Sequence, residues 1–335
     1  MKAENQNRKT AALTAASFNS YIGVDVSKDT LDVCFTGPDG VALPGAEMRI
    51  RNDARGIRKL TGLIPAGSLT VMESTGTCHV KLSRALSAAG LDHSVLNPVW
   101  VKRFIQSTGE KAKNDRIDAR RLAGYAYVFR PAPLVRKTEE REKLNALVTR
   151  RNQLVGMRTA EKNRYSSATD EEMKRSIKSI VKVLDDEIKV LDKKMNELIR
   201  KSDETGYIDR ILRSMPGIGP VVSATLISCM PELGRIGSSP AVSLAGLAPF
   251  DRDSGQFRGK RFIGGGRATV RRALYMAAVS AISSNPVIRE FYARLKAKGK
   301  SSKTALVACM RKMLVILSSM LRYEKMWNEH SIVHS

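Results

Sequence analysis

The sequence predicts an α/β layer followed by an all-α half, and three observations carry that expectation. Apolar residues alternate with a period of two in short, turn-bounded runs between residues 20 and 97. Beyond Glu139 the apolar spacing becomes helical in long, highly charged stretches. Pro131-Ala132-Pro133 separates the two regimes.

Tyr21–Val26 and Thr30–Phe35 are apolar alternations, followed by turn chemistry at Gly37-Pro38-Asp39-Gly40. A third strand is expected around Glu47–Arg51 and a helix over Ala54–Leu63. Next come a buried strand at Leu69–Glu73, a helix near Val80–Ala89 and a short strand at Ser94–Asn97, stopped by Pro98. Three antiparallel strands, then alternating helices and parallel strands, is the order of a ribonuclease-H-like layer. In that order the strands of Asp25 and Glu73 are neighbours, which brings the two carboxylates together. Asp115 and Asp118 fall in an expected helix, Asp115–Val128, and their i, i+3 spacing puts both on one face. Carboxylates converging from two strands and a helix are oxygen ligands suited to one or two Mg²⁺ ions acting on phosphate. Each acid alone has a plainer reading: an ion pair with Arg116, Arg120 or Arg121 for the helical pair, a turn acid for Glu73. The set of four in a basic chain favours metal.

The charge balance points to polyanions. The 335 residues, enough for about two domains, carry 57 Lys and Arg against 33 Asp and Glu, a net +24. Residues 252–325 alone hold 17 Lys and Arg and three acids, hence +14 of that total. Cys34, Cys78, Cys229 and Cys309 are isolated and make no ligand spacing with the four histidines. A zinc site or a disulfide framework is therefore not expected, and a reducing cytoplasm fits. No apolar run reaches the eighteen or so residues of a membrane span. Residues 1–18 lack the order of a signal peptide and read as a flexible tail.

In the second half, Ile177, Val181, Leu184, Ile188, Leu191, Met195 and Leu198 keep the 4-3 spacing of a coiled-coil seam. Leu144, Leu147, Leu154 and Met157 suggest a preceding helix, with a break at Ser166–Asp170. Two antiparallel helices and one long rod both satisfy this pattern, as do an oligomerising seam and an intramolecular spacer. Near Tyr207 a second domain begins. Ser214-Met215-Pro216-Gly217-Ile218-Gly219-Pro220 joins two helices in a helix-hairpin-helix pattern, in which Gly217 and Gly219 would let backbone N–H groups reach a phosphate. Short glycine turns also join helices with no ligand. The run Asp253-Ser254-Gly255-Gln256-Phe257-Arg258-Gly259-Lys260-Arg261 follows, then Gly264-Gly265-Gly266-Arg267 and a helix with Arg271 and Arg272 near its start. Arg258, Lys260, Arg261, Arg267, Arg271 and Arg272 are candidate phosphate contacts. Ser254 could attack phosphorus, but a Ser-Gly dipeptide is equally a turn, and no His or Lys partner distinguishes it.

GVDVSK, MESTGT, NDRIDARRLA, SMPGIGP, AGLAPF, DSGQFRGKR, IGGGRATVRRALYMAA and MRKMLVILSSML, in this order, resemble the insertion-sequence family one-ten of bacterial transposases. These are DEDD recombinases related to Piv-type invertases, and the resemblance runs from about Ser20 to Lys325. It implies a RuvC-like domain over 20–130, a coiled-coil connector over 137–205, a helical serine-bearing domain over 207–326, and tails at 1–19 and 327–335. It further implies Asp25, Glu73, Asp115 and Asp118 as the Mg²⁺ tetrad and Ser254 as a nucleophile that links covalently to DNA. The implied partners are target and donor DNA, a structured bridge RNA and further copies of the chain, as a dimer or tetramer in the bacterial cytoplasm, with no membrane. Two departures are an added N-terminal tail and Asn114 where relatives often have Thr. A metal-dependent, structure-selective endonuclease that leaves Ser254 idle is the alternative activity.

Overall fold

In the computed structural model, β1 (Ser20–Val26), β2 (Thr30–Thr36), β3 (Ala42–Arg51), β4 (Ser68–Glu73) and β5 (His93–Leu96) form one sheet in the order β3-β2-β1-β4-β5. The structure describes residues 18–74, 76–107, 115–134, 138–250 and 262–328. β1, β2 and β3 run antiparallel, whereas β4 is parallel to β1 and β5 to β4. This mixed order fits the ribonuclease-H-like layer. The sheet belongs to the first of two compact units, residues 1–136 and 137–335.

The period-two alternation builds two cores. Ile22, Val24, Val26, Leu31, Val33 and Met72 face α1 (Ala54–Leu63) and α2 (His79–Ala88), where Ile57, Leu60, Leu82 and Leu86 are buried. Tyr21, Leu69, Val71 and Leu96 face the opposite way, onto Val101 of α3 (Pro98–Ser107) and Leu122 and Ala126 of α4 (Asp115–Phe129). α1 starts where the Asp53 carboxylate accepts the Gly56 N–H at 2.8 Å. Helix α3 departs from the sequence expectation, which placed nothing after Pro98. A proline ends a strand but fits the first helical position, and Asn97 caps the new helix by accepting the Val99 N–H at 2.9 Å.

In the second unit, α5 (Glu139–Ser167) and α6 (Glu171–Lys201) form an antiparallel hairpin. Its seam is Leu154, Ile188 and Leu191, edged by Arg151–Asp192 and Arg158–Asp185 ion pairs at 2.5 and 2.6 Å. The break falls at Ala168–Asp170, where Asp170 caps α6 through the Met173 N–H. Within the chain, the heptad seam of α6 is thus taken up by α5. At the open end, Leu144, Val148, Met195 and Ile199 join one large core with α7 (Asp203–Ser214), α8 (Pro220–Cys229), α9 (Ser238–Leu244), α10 (Ala268–Ser284), α11 (Pro286–Ala297) and α12 (Ser302–Arg322). Trp327 also packs on this core. By length and composition α12 could cross a membrane, although Arg311 and Lys312 interrupt its apolar run. Half of its most apolar stretch is buried in the unit, and Met313, Leu314 and Leu317 are fully covered. β6 (Pro249–Phe250) and β7 (Phe262–Ile263) pair antiparallel as a two-residue ladder.

Candidate active site

A row of charged residues crosses the sheet on the α4 side. β1 and β2 pair Asp25 with Asp32, and β2 and β3 pair Asp32 with Arg49. β1 and β4 run in register up to Val24–Met72, so Asp25 and Glu73 follow as the next neighbours. Glu73 in turn pairs with Leu96. Adjacent strands lie about 4.8 Å apart, so Asp32, Asp25 and Glu73 stand side by side and project to one face. Asp25 and Glu73 are half-buried. Asp32 is 3% exposed, and Arg49 Nε donates to both its carboxylate oxygens at 2.9 and 3.2 Å. The sequence reading did not single out Asp32. Its signal was an acid at an inward position of an apolar strand, opposite Asp25. Next along β2, burial and then the charge of Glu47 push the Cys34 thiol up, which keeps it protonated and inert.

Helix α4 lies directly on β1 because Gly23 has no side chain. A Cβ there would sit 2.0 Å from the Ala119 carbonyl oxygen and 2.4 Å from the Ala123 nitrogen. The helix runs against the strand: the Tyr21 ring meets that of Tyr127 at 5.6 Å, two residues before Gly23 meets the Ala119–Ala123 turn. Two strand residues advance about 6.8 Å, or four to five helical residues at about 1.5 Å each. The same step forward sets Asp25 beside the first turn of α4, residues 115–119. Arg120 fixes this register by reaching Glu47 of β3, with Nε 2.9 Å from Oε1. Asp118 is half-buried and accepts from Arg121 Nη1 at 3.1 Å. Asp115 is the first residue of the helix; its side chain lies outside the described residues.

The donors of this corner are all carboxylate oxygens, the hard ligands that Mg²⁺ takes. The amino end of α4 adds a partial positive charge that favours acids in its first turn. Among the described residues, no three His, Cys, Asp or Glu side chains already converge as a metal cage. Asp25 and Glu73, neighbours below the turn of Asp115 and Asp118, nevertheless fit a divalent ion by donor chemistry and placement.

The candidate nucleic-acid contacts of the second unit divide by geometry. Gly217 has φ +99°, and a Cβ there would lie 2.6 Å from the Ala281 Cβ of α10, so it serves packing of the α7–α8 turn. Gly219 opens outward: nothing lies within 4 Å of its would-be Cβ, and it caps α8 without a side chain. Arg267 forks onto Glu232 with both contacts at 2.6 Å and donates to the Cys229 carbonyl at 3.0 Å. Arg271 donates to the Gly265 carbonyl at 2.6 Å, whereas Arg272 is exposed. Ser254, Arg258, Lys260 and Arg261 lie outside the described residues. Arg267→Ala should destabilise the second unit by about 2 kcal/mol, the range for removing one partner of a half-buried charged pair. Its melting temperature should fall accordingly, with only partial recovery in Arg267→Lys, which cannot fork.

Comparison with known proteins assigns this architecture. Residues 22–173 match the DEDD-type IS110 transposase model, and residues 209–293 match that of the IS116/IS110/IS902 transposase family. The pilin gene-inverting protein of Moraxella bovis is 28% identical over 91% of this chain and 97% of its own length. A 44.8 kDa protein of insertion element IS116 from Streptomyces clavuligerus is 31% identical over 43% of this chain and 36% of its own. The 43.6 kDa protein of insertion element IS110 from Streptomyces coelicolor is 28% identical over 44% and 36%. With both units matched in order, the chain belongs to the IS110 family of transposases.

Proposed function

We propose that this transposase cuts and rejoins DNA through a covalent link on Ser254, with Mg²⁺ held by Asp25, Glu73, Asp115 and Asp118. The observation that carries the metal half is the adjacency of Asp25 and Glu73 beside the first turn of α4. The bound ion would supply charge neutralisation at the scissile phosphate. The chain's own groups do the rest. The Ser254 oxygen attacks phosphorus, forming an O–P bond as the bond to a deoxyribose oxygen breaks; the serine's proton is lost and the released oxygen takes one up. Arg272 and the arginines and lysine of the Ser254 run suit the phosphates flanking that bond. The link conserves the phosphodiester, so a hydroxyl of another strand can reverse the attack and rejoin. A relative named for inverting a gene supports rejoining over simple cleavage.

Further parts of the proposal are oligomeric action and guidance by a structured RNA, so that base pairing reads the sequence and the protein reads backbone. The net charge of +24 suits such a particle. One assay tests these readings: incubation with target and donor DNA and Mg²⁺, followed by denaturing gel separation. A denaturation-resistant protein–DNA adduct is expected from preparations that retain co-purified RNA. It should vanish in Ser254→Ala and after RNA removal. Full cleavage by Ser254→Ala would identify a water-using nuclease, and adducts formed without RNA would sink the guide.

A further inference from the structure

Trp100 on α3 is 49% exposed, and the Arg103 guanidinium lies 5.2 Å from its ring centroid. Val99 beside it is 52% exposed. The helix does not need this indole for packing. Its inward side is held by Val101, at 3% exposure, and by Phe104, whose ring meets Tyr125 and Phe129 edge-on at 5.5 and 5.8 Å. α3 contains no acid, and its two charged residues, Lys102 and Arg103, are both exposed.

Its location gives this surface meaning. Glu73 pairs with Leu96, the last residue of β5, and the chain passes through Asn97 directly into α3. The Trp100 backbone N–H donates to the Asn97 carbonyl at 3.0 Å. Trp100 is therefore carried one helical turn beyond the strand neighbour of Glu73, on a helix that packs, through Val101, on the same side of the sheet as α4. An exposed aromatic face with two cations beside carboxylates suits a ligand that is flat, apolar in part and strongly anionic. An unpaired nucleotide has all three properties.

We infer that Trp100 and Arg103 form a stacking platform for an unpaired DNA base next to the strand being cut. The indole takes the base, and Arg103 and Lys102 meet its flanking phosphates. The choice of DNA rests on the proposed function, in which the neighbouring acids act on a DNA strand.

The chain has two tryptophans, and Trp327 has its indole nitrogen buried and its ring packed on the second unit's core. Quenching of intrinsic fluorescence by nucleic acid thus reports on Trp100. The full chain, freed of RNA, is titrated in EDTA with a 12-nucleotide DNA strand, its duplex and the same sequence as RNA. The single DNA strand should quench saturably and bind tighter than the duplex or the RNA. Read by the fluorescence anisotropy of a dye-labelled strand, Trp100→Ala should weaken that binding about 5- to 150-fold, the range for one stacked base. Trp100→Phe should retain most of the affinity, and Arg103→Gln should reduce its salt dependence. Unchanged affinity in Trp100→Ala overturns the proposal. So does preference for duplex or RNA, or quenching that grows with protein concentration alone, which would place a second copy there. Asp25→Asn should leave the quench intact, so a failure of the metal reading would appear separately, as cleavage that survives this substitution.

Discussion

Asp25→Asn is expected to abolish DNA cleavage while leaving the first unit folded in metal-free buffer. Asp25 stands between two other acids, Asp32 across β2 and Glu73 at the next position along β4. Asn is nearly isosteric and keeps one side-chain oxygen, so calorimetry should show a melting temperature close to that of the wild type. Activity should fall by at least about 100-fold, since even residues one step removed from a metal cost 10–100-fold. A purely structural acid would show the reverse pattern: lost stability with residual cleavage.

The second large effect falls on a residue with no chemistry of its own. Gly23→Ala should lower the unfolding temperature of the first unit and eliminate cleavage together. The added methyl would meet two backbone atoms of α4, at 2.0 and 2.4 Å, and neither can rotate away. The helix must lift from β1, at a cost of about 3 kcal/mol, or roughly 10 °C for a unit of this size. Lifting it carries the turn of Asp115 and Asp118 away from Asp25 and strains the Arg120–Glu47 contact. Circular dichroism melts and strand-cleavage assays on the same preparation check both effects.

These two residues also show what the sequence made legible. The alternation in Tyr21–Val26 and Leu69–Glu73 sufficed to set Asp25 and Glu73 on neighbouring strands, because strand order follows from connection rules. Asp32 was not legible, because an acid in an alternating strand ordinarily faces water; here it is buried with Arg49 on its carboxylate. Helix α3 was missed because Pro98 ends a strand and opens a helix with equal ease. The seam of α6 was readable from its spacing, but a heptad does not say which helix it meets, and α5 of the same chain meets it. Arg267 looked like a phosphate contact because a Gly-rich basic run gives no hint of Glu232, 35 residues earlier. Ser254 was visible only through family resemblance, since nothing in its neighbours' chemistry distinguishes a nucleophile from a turn.

The claim on which the whole account turns is that the acid row holds a divalent ion. Electron paramagnetic resonance of Mn²⁺, added to the full chain with a short DNA oligonucleotide, measures this directly. Wild type is predicted to deplete the free Mn²⁺ signal, whereas Asp25→Asn at the same concentration leaves it near the level of DNA alone. Equal depletion by the two proteins would contradict the account.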